Sequence, residues 1–369
     1  MIVRDEAEHL DACLTSLEGL VDEIVVVDTG SVDDSLDIAR RHGAITAREP
    51  WRGDFSTPRN RSLDLASGDW ILYIDADERV RGADNDAVRR ALSRANHHGA
   101  FRVRFVPRVG WTPYYEYRLW RNAPELRFRG IIHETLLSSL HARVDRDGLI
   151  IADTDLFTIE HLGYEGDQSR KHERNETMLL AALEEWPERI YYYDHLARIY
   201  EDCGAADRAV DMWMRGIEVV RSRQVPHFDD RLVWINLIVH KLAAGSVDQD
   251  LAELIAEGLE RFPDVPALEL AAATYEFATT RPELAIPRLE WLLSLDLDDV
   301  VASGSSYDQR ILGEWAWHLL GLCRFALGDG PGAADAFGRA AVCEPQNAEY
   351  LVKRRLAEGR TRVPASPST

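Results

Sequence analysis

The sequence predicts an α/β domain with a mostly parallel, Rossmann-like sheet, followed by an all-α domain of helical repeats. The first half alternates short apolar runs with helical patterns such as residues 35–42, as βα units do. The second half has few strand candidates, and two of its segments share one repeat pattern. With 369 residues, the chain has room for two or three domains of roughly 150 residues each.

Two buried strands are predicted in the first half, and both end in carboxylates. Residues 24–27 read Ile-Val-Val-Val and lead directly into Asp28. Residues 70–74 read Trp-Ile-Leu-Tyr-Ile and lead into Asp75 and Asp77. Open α/β sheets bind their ligands at the carboxyl ends of the strands, so these acids mark the candidate site.

Asp75 and Asp77 give the strongest chemical signal in the sequence. In extended backbone, residues i and i+2 point the same way, so the two carboxylates can hold a hard divalent cation and the phosphates bound to it. Two solvated acids in a turn are the alternative. Asp28 either caps a turn or helix or, if Ser31 or Asp33 caps instead, accepts from a ribose hydroxyl or a base N–H.

The charge balance is acidic, with 43 Lys and Arg against 63 Asp and Glu and a net charge of −20. This excludes a nucleic-acid backbone as the main partner. The four cysteines are not spaced as a structural zinc motif. Neither a secretory signal nor a run of about 18 apolar residues is found, so no transmembrane segment is predicted. We therefore expect a cytoplasmic protein, with peripheral association at the inner membrane face as an alternative.

The second half carries the tetratricopeptide pattern, in which a large residue is followed by small or apolar residues three and four positions later and then by an aromatic residue. Segments starting at Tyr193 and Trp317 match it, and weaker units start near Arg231 and Val265. We predict four helix pairs stacked as a solenoid, because one pair cannot bury its own apolar face. Residues 300–310, rich in Ser and Gly, are predicted as an insertion between repeats.

These patterns divide the chain into four regions. They are an α/β domain over residues 1–168, a linking helix over 169–189, a repeat domain over 190–347, and a helix end with a disordered tail over 348–369. The Pro and Ser content of the last residues predicts the disorder. Repeat solenoids self-associate readily, so the architecture is also compatible with a homodimer.

Several short blocks of the sequence form an ordered set of motifs. The blocks are residues 1–6 (MIVRDE), 25–31 (VVVDTGS), 54–60 (DFSTPRN), 68–78 (GDWILYIDADE), 129–134 (RGIIHE) and 159–164 (IEHLGY). Together with the repeats, they resemble family 2 glycosyltransferases of the GT-A fold that carry C-terminal tetratricopeptide repeats. That group includes lipopolysaccharide-core glucosyltransferases and enzymes that glycosylate ribosomal peptides.

The resemblance implies a nucleotide-sugar donor, a UDP-sugar in the first instance, and a Mn²⁺ or Mg²⁺ ion that bridges its two phosphates. It implies that Asp28 binds the nucleotide, and that Arg59 and Asn60 line the nucleotide and diphosphate pocket. Asp75 and Asp77 correspond to the metal motif, with Asp77 as the expected direct ligand. Such an ion offsets the negative charge that develops on the departing diphosphate.

Later residues are expected to complete the site. His161 is expected as a third metal ligand, with an ordinary surface or hinge histidine as the alternative. His133 and Glu134 are expected beside the acceptor, where Glu134 acts as the base of an inverting single displacement. The alternatives are a structural Glu134 paired with an arginine, and Asp153 or Asp155 as the base.

Two further features bear on the donor site. The first strand, residues 1–3, is shorter than in the resembling family, whose members have several apolar residues before this block. Residues 102–129 hold seven arginines and two glutamates. We expect this basic stretch to bind a diphosphate or an anionic acceptor, with scattered solvated arginines as the alternative.

Two classes of function follow. The first is metal-dependent, inverting transfer of a sugar from a nucleotide-sugar to a peptide, protein or saccharide acceptor positioned by the repeats. The second is a non-catalytic tetratricopeptide adaptor with a relic α/β domain. A sugar-nucleotide pyrophosphorylase is disfavoured, because no glycine-rich loop follows the first strand. Gathering of Asp28, Arg59, Asp75 and Asp77 around one pocket would favour the enzyme.

Overall fold

The computed structural model describes residues 1–162, 169–225 and 227–360. The chain divides into two compact units, one comprising Met1–Glu184 with Val300–Ser306 and the other Glu185–Asp299 with Tyr307–Thr369. Of the tail for which the sequence predicts disorder, residues 361–369 lie outside the described residues, as do the last two residues of the block at 159–164.

The first unit alternates strands and helices as predicted over residues 1–72. Its strands are β1 (Ile2–Val3), β2 (Val25–Asp28), β3 (Ile45–Arg48), β4 (Trp70–Leu72), β5 (Glu78–Arg81), β6 (His98–Val106), β7 (Tyr114–Arg121) and β8 (Ile150–His161). Its helices are α1 (Ala7–Thr15), α2 (Ser35–Arg41), α3 (Ser56–Leu65), α4 (Asn85–Arg94), α5 (Leu137–Asp147) and, up to the unit boundary, α6 (Ser169–Glu185). The predicted α/β class is confirmed.

The strands form two sheets. The first has the order β1-β2-β3 and is parallel throughout, because each helical crossover returns the chain in the same direction. The second has the order β4-β7-β6-β8-β5. It is mixed: β6 and β8 run parallel, and its other pairs are antiparallel. The parallel sheet was predicted, whereas these antiparallel pairs were not.

The register of β8 sets the position of the predicted site. Its last residue, His161, lies opposite Glu78 at the start of β5. Further upstream, between Thr154 and Thr158, β8 departs from regular pairing with β6 and forms an irregular step. Because side chains alternate between faces along a strand, register decides which face each of these residues presents.

One apolar core joins the sheets and helices of the first unit. It includes Val26 of β2, Leu14 of α1, Val103 of β6 and Ile159 of β8, all of which are fully buried. Each such side chain contributes about 1.5–3 kcal/mol through burial. The core thereby anchors the strands whose carboxyl ends carry the candidate site.

Most of the remaining helices are arranged in consecutive pairs. They are α7 (Ile190–Asp202), α8 (Ala206–Arg221), α9 (Arg231–Ala243), α10 (Gln249–Arg261), α11 (Pro266–Ala278), α12 (Pro282–Ser294), α13 (Leu297–Ala302), α14 (Glu314–Ala326), α15 (Gly330–Cys343) and α16 (Ala348–Arg360). The predicted pairs are α7 with α8, α9 with α10, α11 with α12 and α14 with α15, and in each the two helices contact each other.

Small residues allow the close helix packing that the repeat pattern predicts. A Cβ atom added at Gly321 of α14 would lie 2.6 Å from the ring of Phe337 in α15, so no larger side chain fits there without movement. Among the described helices, none combines the length and the apolar character that a membrane crossing requires.

The buried carboxylate of Asp194 joins three helices of the second unit. Asp194 is 3% exposed, and its Oδ1 accepts from Trp213 Nε1 at 3.0 Å and from Asn236 Nδ2 at 2.6 Å. Burial raises the pKa of Asp194, although the hydrogen bond from Asn236 opposes this shift. The folded state therefore holds this proton more tightly than the unfolded chain does.

We expect Asp194→Asn to become more stable relative to the wild type as the pH rises from about 3.9, the pKa of an unfolded Asp, to the raised folded-state pKa. The wild type loses stability over that interval, whereas an amide oxygen keeps both hydrogen bonds without ionising. Asp194→Ala should cost about 2 kcal/mol, because two buried donors lose their acceptor. Denaturant unfolding followed by circular dichroism at several pH values measures both effects. The exposed Asp211→Asn is the control, and parallel pH curves for the wild type and Asp194→Asn would contradict the expectation.

Candidate functional site

The turn after β4 carries Asp75 and Asp77, and a buried ion pair stabilises it. The backbone N–H of Asp75 donates to Glu78 Oε2 at 2.8 Å. Glu78 in turn accepts from both terminal nitrogens of Arg118, at 2.8 and 3.1 Å. Glu78 and Arg118 are 2% and 5% exposed, so an interior ion pair fixes the turn, and removing one partner of such a pair is costly.

Asp77 contacts His161, and the sequence analysis expects both residues in one site. Asp77 Oδ2 lies 3.2 Å from His161 Nε2, and His161 Nδ1 lies 3.2 Å from the carbonyl oxygen of Pro107. Burial disfavours the charged imidazole, but the hydrogen bond and charge of Asp77 outweigh it, and the pKa of His161 is raised. The pairing of β5 with β8 brings these two residues together from 84 positions apart.

The pair of Asp77 and His161 fits a divalent cation by its donor chemistry. Magnesium-type ions need only one or two protein ligands when phosphate oxygens and water complete the octahedron. Within the described ranges, no group of three or more His, Cys, Asp or Glu side chains is arranged as a complete metal site. Asp75 is paired with Arg59 in this structure, and its role as a further metal ligand stays a prediction.

Arg59 of α3 joins two carboxylates of the site. Its Nη1 donates to Asp75 Oδ1 at 2.9 Å, and its Nε donates to Glu134. The guanidinium lies 4.6 Å from the ring centre of Tyr73, whose hydroxyl donates to Asp75 Oδ2 at 3.1 Å. Burial by itself would raise the pKa of Asp75, but Arg59 outweighs it and lowers this pKa to about 2. Asp75 is therefore an ionised, internally paired carboxylate.

Glu134 is buried beside Arg59, and its side chain is 6% exposed. Burial raises the pKa of Glu134, while the charge of Arg59 opposes that shift. The preceding residue, His133, has a φ of 50°, a left-handed conformation that non-glycine residues seldom adopt and that is common near functional sites. The ion pair with Arg59 is the structural arrangement named above as the alternative to a catalytic base.

The arginine-rich stretch over residues 102–129 is largely paired within the protein. The pairs are Arg102 with Asp153, Arg104 with Asp155, Arg118 with Glu78 and Arg127 with Asp64. These four guanidinium groups already have carboxylate partners, and binding of a diphosphate or an anionic acceptor by the stretch stays a prediction. Asp153 and Asp155 precede His161 on β8 by roughly 26 and 20 Å at about 3.3 Å per residue, which disfavours either as the base.

Asp28 and Asn60 also have partners within the protein. Asp28 is 1% exposed, and its Oδ1 accepts from the backbone N–H groups of Ser31 at 2.8 Å and Gly30 at 3.3 Å. Gly30 has a φ of 123°, which a side chain would disfavour. Asn60 contacts the backbone of Phe128 through both polar atoms, at 2.8 and 2.9 Å. Nucleotide binding by Asp28 and Asn60 stays a prediction, and for Asn60 this geometry favours a positioning role.

Glu6 is a further carboxylate of this region, which the sequence analysis did not select. Burial, followed by the like charges of Asp77 and Asp75, raises the pKa of Glu6 to about 7. Glu6 follows β1, whose Val3 lies beside Asp28 at the end of β2. The rule that ligands bind at the carboxyl ends of strands therefore selects Glu6 as well as Asp28.

A cavity of about 520 Å³ lies at the other end of the strands, where β1, β2 and β4 begin. Its walls include Met1, Val25, Trp70 and Leu72. None of the predicted site residues lines it. The observed site instead comprises the contacts of Arg59 with Asp75 and Glu134 and the contact of Asp77 with His161, and the turn after β4 carries both aspartates. Asp28 ends β2, which belongs to the other sheet.

The fold and the site define an α/β protein in which carboxylates stand at or just after the carboxyl ends of β2 and β4, and one of them, Asp77, contacts a histidine. The family model described as "Glycosyl transferase family 2" matches residues 1–147. These residues form a domain of that glycosyltransferase family, and the resemblance seen in the sequence motifs is confirmed.

Relatives extend the similarity over parts of the chain. A TPR repeat-containing protein of Synechococcus elongatus is 35% identical over 221 residues, which cover 58% of this chain and 54% of that protein. Glycosyltransferase SunS of Bacillus phage SPbeta is 27% identical over 148 residues, 38% of this chain and 35% of that protein. The chain thus spans about half or less of the length of these relatives.

Among solved structures, glucosyl-3-phosphoglycerate synthase from Mycobacterium tuberculosis shares 18% identity and a TM-score of 0.35. The match covers 48% of this chain and 75% of that chain.

Proposed function

We propose that the protein is a metal-dependent, inverting glycosyltransferase that moves a sugar from a nucleotide-sugar, a UDP-sugar in the first instance, to an acceptor held by the helical repeats. The observation that carries this proposal is the contact of Asp77 with His161 at the carboxyl edge of a family 2 domain. A peptide, a protein segment or a saccharide is the proposed acceptor class.

In this proposal, Asp77 and His161 hold Mn²⁺ or Mg²⁺, which when bound supplies positive charge for the phosphates of the donor. Arg59 keeps Asp75 ionised, and Glu78 fixes the backbone of the turn, so the protein holds this charge pattern in place before the donor arrives. A preorganised site avoids the cost of reorienting charges during the reaction.

The chemical step is a single displacement at the anomeric carbon. The acceptor hydroxyl or thiol attacks that carbon, its bond to the diphosphate oxygen breaks, and the electron pair leaves on the nucleoside diphosphate. Glu134 is the proposed group that takes the acceptor proton, and burial raises its pKa, which makes the carboxylate a stronger base.

Donor hydrolysis by the full-length protein tests the proposed function. UDP-sugars are offered first and then GDP- and dTDP-sugars, each with Mn²⁺ and with a chelator. We expect hydrolysis of at least one donor that depends on the ion. Absence of turnover with all donors, together with absence of nucleotide binding, would favour the non-catalytic adaptor instead.

Glu134→Gln tests the proposed base. A carboxylate base must be deprotonated, so the transfer rate should rise with pH through the raised pKa of Glu134 and then level off. The amide variant should lower transfer to the acceptor by roughly 10²-fold and lose that rise, while the affinity for the donor nucleotide stays unchanged.

The control for Glu134→Gln is Asp155→Asn, which changes an exposed acid upstream on β8 and should behave like the wild type. An unchanged pH profile in Glu134→Gln would assign this carboxylate a structural role as the partner of Arg59. A lost profile in Asp155→Asn would move the base to that position.

A further inference from the structure

A short segment from the second half of the chain belongs to the first unit. Val300–Ser306, which we call the insertion segment, lie between α12 and α14 in sequence but group with the α/β domain. Val300, Val301 and Ser305 are buried. Connecting segments normally run over the surface, so this burial indicates that the insertion segment packs within the first unit.

The insertion segment contacts the turn between β6 and β7. The Ser306 hydroxyl donates to the carbonyl oxygen of Thr112, and Thr112 is fully buried. Val109, at the tip of the same turn, is 87% exposed. The turn is therefore open at its tip and covered where it leads into β7, on the side that Ser306 contacts.

The same turn carries the hydrogen-bond acceptor of His161. The carbonyl oxygen of Pro107 lies 3.2 Å from His161 Nδ1. A carbonyl oxygen only accepts, so this contact requires the proton on Nδ1 and leaves the lone pair of a neutral imidazole on Nε2. Nε2 is the nitrogen that lies 3.2 Å from Asp77 Oδ2. The Pro107 carbonyl therefore determines which ring nitrogen is available to the proposed cation.

Both contacts lie on one short turn. Phe105 of β6 pairs with Tyr114 of β7, and within the turn the backbone N–H of Trp111 donates to the carbonyl oxygen of Arg108 at 3.1 Å. The acceptor of the imidazole is a main-chain oxygen, so its position follows the path of the backbone and not the rotamer of a side chain. A contact that fixes one side of so short a turn therefore also restrains this oxygen.

We propose that Ser306 is a positioning residue for His161. The hydrogen bond from Ser306 to Thr112 holds the turn, and the turn holds the Pro107 carbonyl against Nδ1. Nε2 is thereby kept in the orientation in which it binds the divalent cation together with Asp77. This inference rests on the proposed function. It assigns the insertion segment a role at the metal site in addition to its place between repeats.

Binding of Mn²⁺ to the full-length protein tests the inference, with electron paramagnetic resonance of the free ion measured in the presence of UDP. Ser306→Ala should bind Mn²⁺ about tenfold more weakly, the lower end of the loss found when a group that orients a metal ligand is removed. Ser306→Thr keeps a hydroxyl donor and should recover most of the affinity. Ser303→Ala is the matched control, because the Ser303 hydroxyl donates to the carbonyl oxygen of Val300 at 2.7 Å, within the insertion segment itself.

Hydrogen exchange of the backbone amides separates positioning from a general loss of structure. In Ser306→Ala, exchange should become faster over residues 107–113, because the turn has lost a restraint. Exchange in β2, which does not contact this turn through the proposed path, should stay as in the wild type.

Three results would overturn the inference. Wild-type Mn²⁺ affinity in Ser306→Ala would do so, even if exchange in the turn becomes faster, because the turn would then not act on the metal site. Faster exchange throughout the first unit together with weaker Mn²⁺ binding would show a general structural effect. An equal loss of affinity in Ser303→Ala would point to the insertion segment as a whole and not to the hydrogen bond. By contrast, a wild-type protein that binds no Mn²⁺ in the presence of UDP would overturn the metal-dependent function itself.

Discussion

Replacing Asp77 by Ala should abolish sugar transfer and leave the fold intact. Asp77 is half-buried, its partner is one imidazole, and it does not belong to the buried pair of Glu78 and Arg118 that holds the turn. Loss of a group that stabilises developing charge typically lowers turnover by roughly 10²–10³-fold. Donor hydrolysis and acceptor transfer, measured with an excess of Mn²⁺, give the size of the effect.

Asp69→Ala is the matched control for Asp77→Ala. Asp69 is an exposed acid at the other end of the same strand, so its removal changes net charge equally without touching the site. Circular dichroism of both variants checks the fold. Undiminished turnover in Asp77→Ala would eliminate the metal assignment of this residue.

Replacing Arg59 by Met should destabilise the first unit by about 3–5 kcal/mol, the usual cost of leaving a buried charge without its partner. Arg59 is the shared counter-charge of Asp75 and Glu134, and its side chain is 11% exposed. Its loss would also release Asp75 from the state in which its pKa is lowered to about 2. Denaturant unfolding of the full chain, followed by circular dichroism, measures the change.

A double-mutant cycle measures the interaction of Arg59 with Glu134 separately from the other contacts of these two residues. Arg59→Met combined with Glu134→Gln should recover part of the lost stability, because the uncompensated carboxylate is removed. Arg127→Met, which breaks the exposed pair with Asp64, should cost less than about 1 kcal/mol. Equal effects of Arg59→Met and Arg127→Met would contradict the role of Arg59 as the buried counter-charge.

Local patterns in the sequence predicted most of the fold. The strands at Val25 and Trp70, the acids that follow them, and the four helix pairs all follow from apolar periodicity and repeat spacing. The antiparallel pairs of the second sheet were missed, because β6 and β7 form a hairpin whose turn lacks a strong short-range signal. Strand pairing depends on contacts distant in sequence, which local patterns do not encode.

The site was predicted in its residue types but not in its pairings. His161 was expected in one site with Asp77 and contacts it, whereas the pairing of Asp75 with Arg59 was not predicted. Asn60 was expected at the nucleotide and contacts Phe128. Which polar side chains satisfy one another is decided by tertiary packing, because a buried polar group must find a partner wherever the fold supplies one.

The irregular step of β8 between Thr154 and Thr158 has a consequence for how this protein can vary. An added or deleted residue within that step can be absorbed, because the chain there is already out of regular pairing. The same change between Thr158 and His161 would turn the imidazole to the opposite face of the sheet. Among related chains, insertions and deletions in β8 should therefore occur within the step. The segment from Thr158 to His161 should keep a constant number of residues.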